Sequence, residues 1–338
     1  MTRSLTDVRA ANLRAASALT SASPSIIPLA ILLGGTSGIG LATAYALSTA
    51  FRGKIHLLLS SRSAARGKEA IEGLPFPPSV ENGGSAEFVE VDASSMKSVV
   101  GLGRVLRGKV EERSGGKVNY LVLSCGQLVF QGSDRTEEGI ERKLAMNYYA
   151  RFALAEMLSP NLEKASQANE PARVISILAP GRGGPIDTSD FGLAKEAEIS
   201  GKSMIRLPTW LRQAEMAGVT YGDWATEYLA ERHGRVSYIH TYPGIVKTPV
   251  MGSMPFLIRL LSAPIFALAG ISSEESGENH ANYLLDDEGA IKGGGAFFRG
   301  PKGQEVQRTQ IKGLEGEERK QKIAELWQHT VEVTGIDA

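Results

Sequence analysis

Hydrophobic and polar positions along this chain switch repeatedly between two periods, and the switching predicts alternating strands and helices. Leu29 to Leu33 is a continuous apolar run of strand length, and Leu41 to Phe51 is an alanine-rich stretch with helical spacing. Lys54 to Ser60 repeats the short apolar pattern around Leu57, Leu58 and Leu59, and Ala64 to Gly73 follows as a helix. Pro75 to Gly84 is a loop by composition. Glu87 to Asp92 alternates as a strand, Met96 to Glu112 reads as a helix, and Val118 to Gly126 is a strand ending in small residues. Later, Arg173 to Ala179 reads as a fifth strand, and Leu211 to Arg232 as an uninterrupted helix running into a sixth. Glu274 to Asp286 is a helix, Gly295 to Phe298 the last strand, and Gly313 to Thr334 a charged amphipathic helix. Strand and helix at this rhythm predict an α/β fold with a parallel, doubly wound sheet.

Between the first strand and the first helix of that series lie three glycines spaced Gly-x-x-x-Gly-x-Gly: Gly34, Gly38 and Gly40. A glycine turn between a strand and a helix is the context in which such a motif binds a dinucleotide. Gly34 allows the tight turn, Gly38 lets the backbone approach a pyrophosphate, and Gly40 allows close packing of helix on strand. The helix N-terminus then faces the negative charge, so Gly34, Thr36, Ser37, Gly38, Ile39 and Gly40 are candidate cofactor contacts. The fold expected is a Rossmann-type single domain. Residues 1–28 form an N-terminal extension, 29–251 the dinucleotide-binding core, and 252–338 an apolar substrate lid, the last strand and a C-terminal helix.

In dinucleotide folds an acid at the end of the second strand accepts the ribose hydroxyls. That position holds Ser61, followed by Arg62. A carboxylate would repel a 2′-phosphate, whereas a guanidinium pairs with it, so the sequence points to NADP rather than NAD. The alternative for Arg62 is a solvated charge at the start of the next helix. Asp92 falls at a strand's C-terminal end, where open α/β sheets place ligands.

Composition narrows the partners. The 338 residues carry 37 Lys plus Arg against 37 Asp plus Glu, so no electrostatic footprint for nucleic acid is present. Cys125 is the lone cysteine, which excludes an intramolecular disulfide and fits a reducing, cytoplasmic setting. No Cys/His cluster has metal-ligand spacing. The first 25 residues, with Arg3, Arg9 and Arg14 and many Ala and Ser, have the composition of a mitochondrial presequence. The acid Asp7 breaks that pattern, and an amphipathic helix from Ser4 to Leu19 packed on the domain edge is the preferred reading. A secretory signal is not expected.

From about Leu29 to about Met251 the chain resembles the short-chain dehydrogenase/reductase family. The glycine turn matches that family's Thr-Gly-x-x-x-Gly-Ile-Gly, with Leu33 in place of the threonine. Asp92 matches its adenine-contacting aspartate, and Ser124-Cys125-Gly126 stands where the family has Asn-Ala-Gly. Asn147 matches the helix asparagine that supports the active-site lysine and its water chain. Tyr242 to Thr248 matches the Pro-Gly segment whose backbone and threonine hold the nicotinamide carboxamide, which implicates Pro243, Gly244 and Thr248. The likeness is to a fungal branch of the family tied to natural-product pathways.

The family's chemistry needs a tyrosine, a lysine four residues later to depress its pKa, and a serine to orient substrate. Ala179 stands where the serine belongs, and Ser176 lies three residues early as a core hydroxyl. Counting forward from Ala179 puts Phe191 and Lys195 at the tyrosine-lysine pair; counting back from Pro243 puts Glu215 and Val219 there. The second threading is preferred, since Gly183 to Leu193 resembles an insertion and Leu211 to Arg232 stays one helix. Lys195 is then a solvated loop charge, and Tyr221, with Ala225 four residues on, a packing tyrosine. Asn147 alone remains of the catalytic group.

Two functions follow. One is an NADP-dependent oxidoreductase of a small, mostly apolar carbonyl or alcohol, using a substitute acid. The other is a nucleotide-binding scaffold without redox chemistry: an isomerase, a cyclase or an interaction protein. The cofactor motifs favour the first. Met254 to Gly270 is strongly apolar, but Arg259 and Pro264 make it a poor membrane span. An apolar substrate lid is expected there, ahead of membrane-surface contact or core packing. Homo-oligomerisation through helices is implied by the family and fixed by nothing in the sequence.

Overall fold

The order in which seven parallel strands pair determines where this protein can hold a ligand. The computed structural model describes residues 4–75, 83–126, 134–195, 207–248, 270–286, 289, 291 and 293–337. Its strands are β1 (Leu29–Leu33), β2 (His56–Ser61), β3 (Ser85–Glu90), β4 (Tyr120–Leu123), β5 (Arg173–Ile177) and β6 (Ser237–Thr241). Two short strands, β7 (Val246–Lys247) and β8 (Ile271–Ser272), pair with each other, and β9 (Gly295–Arg299) completes the main sheet. The order is β3-β2-β1-β4-β5-β6-β9, all parallel. Winding reverses between β1 and β4, which opens a crevice beyond their carboxyl ends, the expected ligand position in such sheets.

The helices are α1 (Leu5–Ala22), α2 (Gly38–Ala50), α3 (Ala64–Glu72), α4 (Met96–Ser114), α5 (Arg142–Leu144), α6 (Ala150–Gln167), α7 (Leu207–Arg232), α8 (Ser273–Leu285) and α9 (Gly316–Thr334). They cover both faces of the sheet, so its central strands must be apolar on both sides. In β1, Leu29, Ile31 and Leu33 pack with residues of α4, α6, α7 and α9, while Ala30 and Leu32 pack with those of α2 and α8. That two-sided burial is why β1 reads as a continuous apolar run rather than an alternating one.

Some bounds differ from the pattern in the sequence. The register His56↔Ser85 starts β3 at Ser85, so the strand ends at Glu90 and Asp92 lies two residues beyond it. Strand β5 stops at Ile177, leaving Ala179 in the following loop. The apolar stretch from Met254 lies outside the described residues up to Gly270. Among the described residues no helix is long and apolar enough to cross a membrane.

The N-terminal segment is the packing helix of its two readings. Asp7, the acid that interrupts the basic pattern, closes a capping box with Ser4. Val8, Ala11 and Ala16 are buried, and Arg9 pairs with Glu274 and Glu278 of α8. The Asn12 amide donates to the Glu278 carbonyl at 3.0 Å and its carboxylate at 2.8 Å. Helix α8 in turn lies on α2, the helix that follows the glycine turn. A Cβ added at Gly277 would sit 2.4 Å from the Ala42 carbonyl carbon, so only glycine permits this crossing. Gly277→Val is therefore expected to push α8 off α2 and cost roughly 1–3 kcal/mol, read as a lower urea midpoint. An unchanged midpoint would mean that the two backbones do not touch as described.

Candidate functional site

The glycine turn is built by three close approaches. Gly34 takes φ +87°, and a Cβ there would lie 2.7 Å from the Cys125 nitrogen at the end of β4. A Cβ at Gly40 would lie 2.4 Å from the Gly34 carbonyl oxygen and 2.2 Å from Ser124 Oγ. The turn, the first turn of α2 and the end of β4 are thus packed backbone to backbone. Ser124 donates to the Leu33 and Gly34 carbonyls at 3.2 and 3.3 Å, which a small hydroxyl residue can do from this position.

The N-terminus of α2 differs chemically from its neighbours. Ser63, Ser95 and Ser272 each accept a backbone N–H at the starts of α3, α4 and α8, and Glu138 adds its carboxylate to α4. Ser37, at the start of α2, makes no side-chain cap, and no acid lies in the first turn. Helix starts leave four N–H groups without intrahelical partners, and an anion satisfies them. At Gly38, with φ +53°, an added Cβ would meet only Thr248 among the described residues, at 3.6 Å. Thr248 therefore lies directly against the turn, delivered there by β7, and Pro243 and Gly244 precede it in the same segment. Gly244 takes φ +79°.

At the ends of β2 and β3 the expected groups come together. Thr36 of the turn donates to Ser61 Oγ at 2.7 Å, so the residue in the acid's place is tied to the glycine turn. Arg62 follows it, exposed, ahead of α3. Burial pushes the Asp92 carboxyl up, but the Ser94 backbone and hydroxyl donors, together with the Arg62 and Arg142 charges, bring it net below the ordinary range. Those donors are held at 2.9 and 2.8 Å, both on Oδ1.

Deeper in the crevice, a π turn (Ala145–Tyr149) separates α5 from α6 and presents Asn147. Its amide lies against Gly126, where a Cβ would sit 3.2 Å from Oδ1. The turn is pinned from outside by α9: Tyr148 bonds Thr330 at 2.6 Å and Tyr149 bonds His329 at 2.9 Å. One turn on, Arg151 is buried to 1% and reaches across the sheet edge. It donates to Ser176 Oγ at 3.0 Å, the Ile177 carbonyl at 2.8 Å and the Cys125 carbonyl. Burial pushes its guanidinium pKa down, and Cys125 opposes that. Ser176 is thereby a satisfied core hydroxyl. Arg151 escaped sequence reasoning, although a cation four residues after Asn147 inside an otherwise apolar helical stretch was a signal for it.

Helix α7 bears on both threadings. It runs unbroken past Gly218, where an added Cβ would meet Asn147 Cβ at 3.6 Å and Leu144 Cδ2 at 3.8 Å. Among the described residues, the α7 position against Asn147 is thus a glycine. Glu215 lies one turn before it, and Val219 is buried. Lys195 is exposed and pairs with Asp187 at 2.9 Å, while Phe191 is buried edge-on to Tyr221. Tyr221 is fully buried and donates to the Phe191 carbonyl at 3.2 Å, as a packing tyrosine. Among the described residues no group of His, Cys, Asp and Glu has the arrangement of a metal site.

Known proteins resemble this chain in sequence and in fold. The family model described as short chain dehydrogenase matches residues 28–179. An oxidoreductase of Emericella nidulans is 28% identical over 260 residues, covering 75% of this chain and 71% of its own. A short-chain dehydrogenase/reductase of Stachybotrys chartarum is 28% identical over 304 residues, covering 84% and 78%. Among solved structures, NADPH-bound carbonyl reductase from chicken fatty liver superposes with a TM-score of 0.55 at 16% identity, covering 83% of this chain and 99% of its own. A 7α-hydroxysteroid dehydrogenase complexed with NADH and 7-oxo-glycochenodeoxycholic acid gives 0.56 at 17%, covering 84% and 96%. At such identities the structures share the fold alone. Strand order, the family-model match over residues 28–179 and the fungal relatives all make this chain similar to the short-chain dehydrogenases/reductases.

Proposed function

We propose that this protein is an NADP-dependent oxidoreductase acting on a small, mostly apolar carbonyl or alcohol. The observation that carries the reading is the uncapped, acid-free start of α2 behind the glycine turn, with Arg62 rather than a carboxylate after β2. The first-turn N–H groups from Thr36 to Gly40 would take the pyrophosphate, Arg62 the 2′-phosphate and Asp92 the adenine side. Gly126 and Asn147 would border the nicotinamide ribose, and Pro243, Gly244 and Thr248 the carboxamide. Bound there, the coenzyme supplies or accepts a hydride. The chain's part is to hold it, exclude water and move a proton to or from the substrate oxygen. Support for a reductive role comes from the names of relatives and structural neighbours, which include oxidoreductases and an NADPH-bound carbonyl reductase.

Fungal relatives also support a place in natural-product biosynthesis, and the lone buried Cys125 supports a cytoplasmic setting. The second reading, a nucleotide-binding scaffold without redox chemistry, is supported by the threading in which Ala179 takes the serine's place and Glu215 and Val219 those of the tyrosine and lysine. A general acid is worth roughly 10² to 10⁴ in rate, so a chain with no substitute would bind coenzyme and turn over poorly.

Intrinsic fluorescence titration should show tighter binding of NADPH than of NADH. Arg62→Ala should weaken NADPH about 10- to 100-fold, the worth of one charged hydrogen-bonded pair, and leave NADH unchanged. Equal losses for both would remove Arg62 from the phosphate site. Tyr221→Phe should lose about 1 kcal/mol of stability and bind NADPH as the wild type does. Impaired coenzyme binding in that variant would contradict its place in the core.

A further inference from the structure

Two charged residues, Glu215 and Lys143, lie one helical turn beyond the contact of Gly218 with Asn147. Helices in this fold run antiparallel to the strands they follow, so the early turns of α5 and α7 lie at the carboxyl edge of the sheet. Matched contacts climb the two helices in the same direction. Gly222 lies against Phe152, at 3.7 Å from an added Cβ, and Gly218 lies against Asn147 at 3.6 Å. The next pair towards the open edge, about 5.4 Å further along each helix, is Glu215 with Lys143. Lys143 is buried, 3% exposed, while Glu215 keeps solvent access. Among the described residues, Lys143 is the charge that bears on Glu215.

We propose that Glu215 gives the proton to the substrate oxygen in carbonyl reduction and takes it back in alcohol oxidation, with Lys143 as the positioning cation beside it. This rests on the oxidoreductase reading above. Burial around the stem of Glu215 raises its carboxyl above the ordinary range, and Lys143 pulls in the opposite direction. A carboxyl raised above the ordinary range is shifted in the direction a general acid requires. With the hydride supplied by the coenzyme, the electrons balance: the carbonyl carbon gains a C–H bond and its π pair moves to oxygen. The Glu215 O–H bond breaks as that oxygen takes the proton. The carbonyl is reduced, the nicotinamide dinucleotide is oxidised, and the carboxylate left on Glu215 is reprotonated from the solvent to which it is open.

The test uses the full chain with carbon-13 at the glutamate carboxyl carbons, the Glu215 resonance being the one absent from Glu215→Gln. It should titrate above the other exposed glutamates, and higher still in Lys143→Met. NADPH affinity should stay within about two-fold of wild type in both variants, and thermal melting should confirm that both fold. With α-tetralone and related bicyclic ketones as probes, Glu215→Gln should reduce roughly 10² to 10⁴ times more slowly. Glu215→Asp should recover part of that rate. Because the group acts as an acid, the rate should fall as pH rises through the Glu215 titration, and Lys143→Met should move that fall to higher pH. If Glu215 titrates with the ordinary glutamates, or Glu215→Gln reduces as fast as wild type, Glu215 is not the donor and the oxidoreductase reading stands. If wild type binds NADPH but reduces none of the ketones, the oxidoreductase reading fails and takes the donor role with it.

Discussion

Backbone contact at the glycine turn is the constraint on which the rest of this structure depends. The end of β1 must fold back within van der Waals reach of both the start of α2 and the end of β4. Gly34 and Gly40 meet those two neighbours at distances that leave no space for a Cβ. Because the turn is closed by main-chain atoms, its geometry cannot be recovered by repacking side chains. The crevice at the β1–β4 reversal is fixed as a result, and everything bordering it is positioned relative to this turn.

That constraint propagates outwards through α2. Helix α8 crosses it at Gly277, α1 is anchored on α8 through Arg9 and Asn12, and β7 carries Thr248 to Gly38. On the other face of the sheet, α9 locks the π turn by bonding Tyr148 and Tyr149. The far ends of the chain therefore brace the two helices that border the crevice from opposite sides. The N-terminal and C-terminal helices are part of the frame that holds the site, although neither contributes a residue to it.

The strands and the glycine turn were legible in the sequence because both are local statements. A strand buried on both faces is a short apolar run, and a turn that excludes Cβ atoms is a glycine pattern. What escaped depends on contacts between distant segments. The π turn at Ala145–Tyr149 is held by Thr330 and His329, some 180 residues away on α9. The carbonyls that receive Arg151 belong to two strand ends, and the neighbour of Glu215 lies on another helix. Even the bounds of β3 are set by its register on β2 rather than by its own alternation, which is why Asp92 falls outside the strand. The helix α7 was readable, but which of its residues faces Asn147 was not, since that depends on how two helices meet.

The two halves of the site differ in what a substitution does to the fold. On the proposed coenzyme side the chemistry would be carried by backbone N–H groups held by glycines, and a side chain added at Gly34 or Gly40 strikes main-chain atoms. On the substrate side it is carried by side chains projecting from the open edge of α5 and α7, where Glu215 reaches solvent and Gly218 has no side chain at all. A tyrosine, a glutamate or a glycine on that edge satisfies the same helix and leaves β5, β6 and the turn undisturbed. A chain of this fold can therefore keep the coenzyme half intact while the proton-handling half takes another form. The coexistence here of an intact glycine turn with a glutamate and a buried lysine at the crevice is what that asymmetry permits.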